Sequence, residues 1–170
     1  MSKTKKMELT NLEILNIVAW YKDFKASKKN EELPLRVQYD LERNIAKMIE
    51  PAQSFETFRN NRIKDIQNEF ITDEKSYVAK EIQKDENGNP VIGEDGKAIE
   101  EEIRKVKDEH FADYQDKIVK MNSELENIAV EKEEISVKTF DLDEMIDKLG
   151  DTSLKLDDLN MLAFMDNEEE

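Results

Sequence analysis

The chain has 170 residues, 38% of them hydrophobic and 39% charged, and a net charge of −15. That length suffices for one domain, but so thin an apolar supply excludes a large spherical core and favours an elongated helical protein. No apolar run approaches the roughly 20 residues of a membrane span.

Charge and residue usage narrow the class further. Residues 1–29 carry seven Lys/Arg against three Asp/Glu, whereas residues 76–134 carry nine against seventeen and residues 135–170 three against eleven. Such acidic surfaces repel nucleic acid and attract basic protein surfaces. With no cysteine there is neither a disulfide framework nor a cysteine zinc site, which suits a cytoplasmic location. The basic start Met1–Lys6 is followed by no signal-peptide apolar core.

In chain order, Thr10-Asn11-Leu12-Glu13 is a capping box opening a first helix over 10–28. Leu12, Leu15, Val18, Ala19 and Phe24 form its expected face, widened by Ile14, Ile17 and Tyr21, with Trp20 at the margin. Lys28-Lys29-Asn30 breaks the pattern, and Pro34 suits the first position of a long helix over 34–72. Its stripe is Leu41, Ile45, Met48, Ala52, Phe55, Ile63, Ile66 and Phe70, and Pro51 predicts a kink or short break near Ile49–Pro51.

Residues 76–105 read as a hairpin arm. Tyr77–Ile82 is a strand, and Asp85-Glu86-Asn87-Gly88-Asn89-Pro90 is turn chemistry of the type I′ kind. Short strands at Val91-Ile92 and from Ala98 to Ile103 make a hairpin or a three-stranded meander, with a mobile loop as the alternative. Asp85, Asn87 and Asn89 have the opening spacing of a calcium loop, but Pro90 and Gly96 occupy the positions that need Gly and Glu.

A second long helix follows over 106–132. Phe111, Tyr114, Ile118, Met121, Leu125 and Ile128 step by three and four along one face, a seam that calls for an antiparallel partner in the 34–72 helix. Residues 135–165 form a small strand–helix part: a strand at Ile135–Phe140, a helix capped by Asp141 and closed by Gly150, an extended Leu154–Leu156, and a last helix capped by Asp157. Residues 166–170 read as a frayed acidic tail. The fold class is therefore mainly α with a small β component (α+β), as one domain over residues 1–170: an antiparallel long-helix pair, a hairpin arm and a C-terminal strand–helix part.

No Ser/His/Asp set, phosphate-cradling glycine loop or metal cluster appears, so neither enzymatic chemistry nor a cofactor or metal is expected. His110, the only histidine, reads as a solvated helix residue. The candidate residues are carboxylates for partner binding: Glu100, Glu101, Glu102, Asp108 and Glu109.

The run from Met7-Glu8-Leu9-Thr10-Asn11 through the Asp-Glu-Asn-Gly-Asn-Pro turn to Ile135-Ser136-Val137 and Leu156-Asp157-Asp158-Leu159 resembles a family of small uncharacterised proteins from tailed phages of Gram-positive bacteria. The resemblance is one of pattern over most of the chain. It implies a phage gene product acting in the host bacterial cytoplasm or during virion assembly. The expected function is a non-enzymatic phage-encoded protein that binds a host protein with a basic surface, as an inhibitor of a bacterial defence system. The alternative is a virion structural, assembly or chaperone-like protein. No direct nucleic-acid or membrane partner is expected, and homo-oligomerisation is an open option.

Overall fold

The computed structural model describes residues 3–167. In chain order its elements are β1 (Lys3–Thr10), α1 (Asn11–Ala26), α2 (Leu35–Phe70), β2 (Ser76–Ile82), β3 (Glu100–Val106), α3 (Asp108–Ala129), β4 (Lys132–Thr139), α4 (Leu142–Leu149) and α5 (Leu156–Leu162). Single 3₁₀ turns lie at Lys29–Glu32 and Ala163–Met165. The α+β class read from the sequence stands. The chain packs as two units, one holding residues up to Arg59 and from Leu125 onward, the other Asn60–Glu124.

In the first unit β1 and β4 form an antiparallel two-stranded sheet, from Lys3 opposite Thr139 to Thr10 opposite Lys132. The sequence gives little warning of β1, because its apolar alternation is confined to Met7 and Leu9 among lysines. Thr10 then caps α1 as expected: its hydroxyl accepts the Glu13 amide and the Glu13 carboxylate accepts the Thr10 amide at 2.7 Å. The buried face differs from the expected one. Ile14, Ile17, Val18, Tyr21 and Phe24 are buried, while Leu12 is 45% exposed. The α2 helix and the sheet together need the Ile14–Ile17–Phe24 side, and only one side of a single helix can face them.

Leu41, Ile45, Met48 and Ala52 of α2 meet that face together with Ile135 and Val137 of β4 and with Met145, Leu162 and Met165. Pro51 does not interrupt α2, which runs unbroken from Leu35 to Phe70. Of the kink or short break expected there, the break is absent; burial of Met48 and Ala52 on either side outweighs one missing backbone bond.

The outer edge of β4 is closed by α2. The Asn44 side-chain amide donates to the Lys138 carbonyl at 2.9 Å and accepts the Lys138 amide at 2.8 Å, as a neighbouring strand would. Lys47 adds a bond to the Ser136 carbonyl. Asn44 is fully buried, so this bond pair also removes the cost of burying its amide.

The C-terminal part needs three corrections. Asp141 does cap α4, accepting the Glu144 amide at 2.8 Å, but Leu154–Leu156 forms no strand and Leu156 already opens α5. The cap of α5 is Lys155 rather than Asp157. The Asp158 carboxylate reaches back to the Lys155 amide at 3.0 Å, and Trp20 and Lys29 bond the same carboxylate at 3.2 and 2.8 Å. Asp158 is thereby drawn into the fold, and the helix start moves with it. Nor does the chain fray at 166. Phe140 donates to the Met165 carbonyl at 2.9 Å, Asn167 donates to the Phe140 carbonyl at 2.8 Å, and Thr139 donates to the Asn167 side chain at 2.6 Å. Residues 168–170 of the expected tail lie outside the described residues.

In the second unit the end of α2 and the start of α3 run antiparallel. Arg62 lies 3.4 Å from Glu124, Glu69 meets Lys117, and the Phe70 and Tyr114 rings sit edge-on at 5.3 Å. Phe70 and Met121 are buried and Tyr114 and Ile118 half-buried, so the middle of the expected seam packs. Its first residue, Phe111, stays 46% exposed.

Candidate functional site

Between α2 and α3 the chain makes the expected hairpin, with β2 and β3 paired from Ser76 opposite Val106 to Ile82 opposite Glu100. Its base is tied to the end of α2. Ser76 donates to the Thr72 carbonyl, Lys107 donates its amide to the Lys75 carbonyl at 2.9 Å, and Arg104 reaches Asp73 at 2.7 Å.

The far end is neither a plain hairpin nor a three-stranded meander. Gln83 donates to the Ile99 carbonyl at 2.8 Å, Ile99 donates to the Val91 carbonyl at 2.9 Å, and Val91 donates to the Gln83 carbonyl at 2.8 Å. The three backbones close a ring, and two small turns leave it. In the first, Gly88 donates to the Asp85 carbonyl at 2.9 Å and Asp85 to the Asn89 carbonyl at 2.8 Å; in the second, Gly96 donates to the Gly93 carbonyl at 3.0 Å and Gly93 to the Lys97 carbonyl at 2.8 Å.

Gly88 and Gly96 hold φ of 81° and 74°, whereas Asn87 and Asp95 do not reach positive φ. A type I′ turn needs positive φ at both central residues. Each is instead a four-residue turn whose last residue is a left-handed glycine. The Asp85 carboxylate accepts the Asn87 and Asn89 amides at 2.9 and 2.8 Å, which holds its pKa below the usual aspartate value. A signal for this arrangement is present in the sequence: Asn87-Gly88-Asn89-Pro90-Val91 and Asp95-Gly96-Lys97-Ala98-Ile99 are two copies of one turn pattern.

The five candidate carboxylates lie on this unit. Glu100, Glu101 and Glu102 are the first residues of β3, and Asp108 and Glu109 form the first turn of α3. All five are exposed. They do not share one face. Side chains alternate along a strand, so Glu100 and Glu102 point to one side of the hairpin and Glu101 to the other. Asp108 and Glu109 have a plain structural use, since acidic groups are favoured at a helix N-terminus. Glu109 lies 3.5 Å from His110 Nε2; no ion pair to the other four occurs among the described residues. Nearby carboxylates are matched: Asp73 by Arg104, Glu81 by Lys105, Glu69 by Lys117.

The structure adds what the charge pattern alone could not show. Among the described residues both edges of the β2–β3 ladder are open, and Tyr77, Val78 and Ile82 of β2 are 45%, 52% and 47% exposed. The bonds from Lys107 to Lys75 and from Gln83 to Ile99 fix the phase of the ladder. Odd-numbered residues exchange bonds across it, and the backbone of Glu100, Glu102 and Arg104 faces outward.

The first unit offers several concavities, one of about 650 Å³ lined by Lys47, Pro51, Phe55, Ile128 and Glu133 among others. A cleft of about 780 Å³ is lined by Arg36, Asp40, Lys138 and Glu144 among others. One Asp40 oxygen takes Arg36 Nε at 3.0 Å and the other is buried without a hydrogen-bond partner among the described residues. An apolar groove of about 640 Å³ runs between α1 and α2, past Leu15, Val18, Ile45 and Ile49. Among the described residues no cluster of three or more His, Asp or Glu is placed to hold a metal ion, and no helix is long and apolar enough to cross a membrane. Comparison with protein-family models, with curated proteins and with solved structures finds no match to this chain.

Proposed function

We propose that this chain is a non-enzymatic binding protein whose acidic hairpin unit takes a host protein with a basic surface. In this reading it is a phage-encoded inhibitor of a bacterial defence protein, acting in the host cytoplasm. One observation carries it: Glu100, Glu101, Glu102 and Asp108 are exposed with no ion pair among the described residues, while Asp73, Glu81 and Glu69 beside them are neutralised. Unmatched carboxylates on a bound surface raise the encounter rate with a basic partner and lower it with nucleic acid.

The test is affinity for a host protein captured from bacterial extract. Glu100→Lys, Glu101→Lys and Glu102→Lys together are expected to weaken binding at least about tenfold and to flatten its salt dependence. Unchanged affinity overturns the reading. A virion assembly or chaperone-like role draws on Phe111 and Val119, which α3 leaves 46% and 68% exposed. That role calls for the protein in purified particles, and for loss of assembly on Val119→Lys with host binding unaffected.

A further inference from the structure

The two sheets treat their edges differently. The outer edge of β4 is occupied by the Asn44 amide and Lys47. β3 pairs with β2 alone, and the outward N–H and C=O groups of Glu100, Glu102 and Arg104 have no protein partner among the described residues. An open edge of this kind is a template for another strand.

The order of side chains along β3 identifies the strand that fits. Glu100-Glu101-Glu102 is acidic, Ile103 is apolar, and Arg104-Lys105 is basic. Turned end for end about Ile103, this segment is its own charge complement. Glu102 falls opposite Arg104, Glu101 opposite Lys105, and Ile103 opposite its own copy. The hydrogen-bond phase agrees independently. Pairing about Ile103 sets even-numbered residues against even-numbered residues, and those are the residues whose backbone faces the open edge.

The cations are already positioned. Arg104 is held by Asp73 at 2.7 Å and Lys105 by Glu81, whereas Glu101 and Glu102 have no cation of their own among the described residues. A uniformly basic strand would satisfy the glutamates but set its charges against Arg104 and Lys105, a conflict that a second copy avoids.

We propose that the free edge of β3 pairs with β3 of a second copy of this chain, giving a four-stranded antiparallel sheet in the order β2-β3-β3-β2 about a two-fold axis. This goes beyond the host-partner reading and is measured without any host protein. A single strand edge is a small interface, so the association belongs to the weak, reversible class.

Equilibrium sedimentation of the full chain up to roughly 500 µM tests it, a range wide enough for a weak interface. The expected mass rises with concentration from 19.9 kDa toward twice that value. Glu102→Pro removes an outward amide but no β2–β3 bond, and is expected to leave a monomer with unchanged circular dichroism. Glu101→Lys alone and Lys105→Glu alone each set like charges together at two symmetric places, raising the dimer Kd on the order of tenfold. The two together exchange the signs and restore association; the ammonium introduced at 101 also lies across from Glu81. A chain that stays monomeric throughout, a dimer indifferent to all these changes, or a double variant no tighter than the singles overturns the proposal.

Discussion

Replacing Asp158 by alanine removes three bonds at one point of the first unit. Its carboxylate accepts the Lys29 ammonium at 2.8 Å, the Lys155 amide at 3.0 Å and the Trp20 indole at 3.2 Å, and the residue is 7% exposed. A charge-assisted bond contributes about 1.5–3 kcal/mol, and a helix-start bond about 0.5–2 kcal/mol. Lys29, whose side chain is 23% exposed, can turn to water once its partner is gone, so the full penalty of a stranded buried charge does not apply. The expected loss for Asp158→Ala is about 3 kcal/mol. Asp158→Asn keeps an acceptor for Trp20 or the amide and should cost roughly half of that. Urea unfolding followed by Trp20 fluorescence reads both, since Trp20 is the only tryptophan. With a urea slope of about 1–3 kcal/mol per molar, the alanine midpoint falls by one molar or more. A loss under about 1 kcal/mol would show that the three bonds are replaced by water at no cost, and would refute the reasoning.

The same carboxylate gives a pH dependence. Burial pushes the Asp158 pKa up, but the Lys29, Lys155 and Trp20 bonds outweigh it and hold it below the ordinary aspartate value. A depressed folded pKa contributes stability above the unfolded pKa and loses it as pH falls through the folded one. The stability gap between the native chain and Asp158→Asn is therefore expected in full at neutral pH, and to close below pH of about 3.9. Asn44→Leu strands the amide and carbonyl of Lys138 and should cost about 2–4 kcal/mol in the same urea assay. Gly88→Val forces a β-branched residue to φ of +81°, a cost of about 1–2 kcal/mol confined to the turn. Hydrogen exchange of the Asn89 amide should speed up while the Trp20 transition stays put.

Periodic elements were legible in the sequence because each has a face to bury. Thr10, Asp141 and Gly150 marked helix ends correctly, and the stripe from Leu41 to Phe70 gave α2 nearly to the residue. Three things were not legible. β1 has only Met7 and Leu9 to alternate among lysines, so its partner strand, not its own pattern, creates it. The Asp158 cap depends on Trp20 and Lys29, both more than 120 residues away, and distance in sequence hides that. Of the kink or short break expected at Pro51, the break did not occur, because burial of Met48 and Ala52 holds the helix on both sides. The candidate carboxylates could be read as acidic and exposed. Their division between two faces follows from strand geometry, and the open edge of β3 from its neighbours, which charge counting cannot supply.

The most direct measurement of the binding account is the affinity of a captured basic host protein for the native chain and for a chain with Glu100, Glu101, Glu102, Asp108 and Glu109 all changed to lysine, at about 50 and 300 mM salt. The account expects tight, salt-sensitive binding by the native chain and a loss of tenfold or more in the variant, with little salt dependence left. Equal affinities with equal salt slopes, in a variant that keeps its circular dichroism, would contradict it.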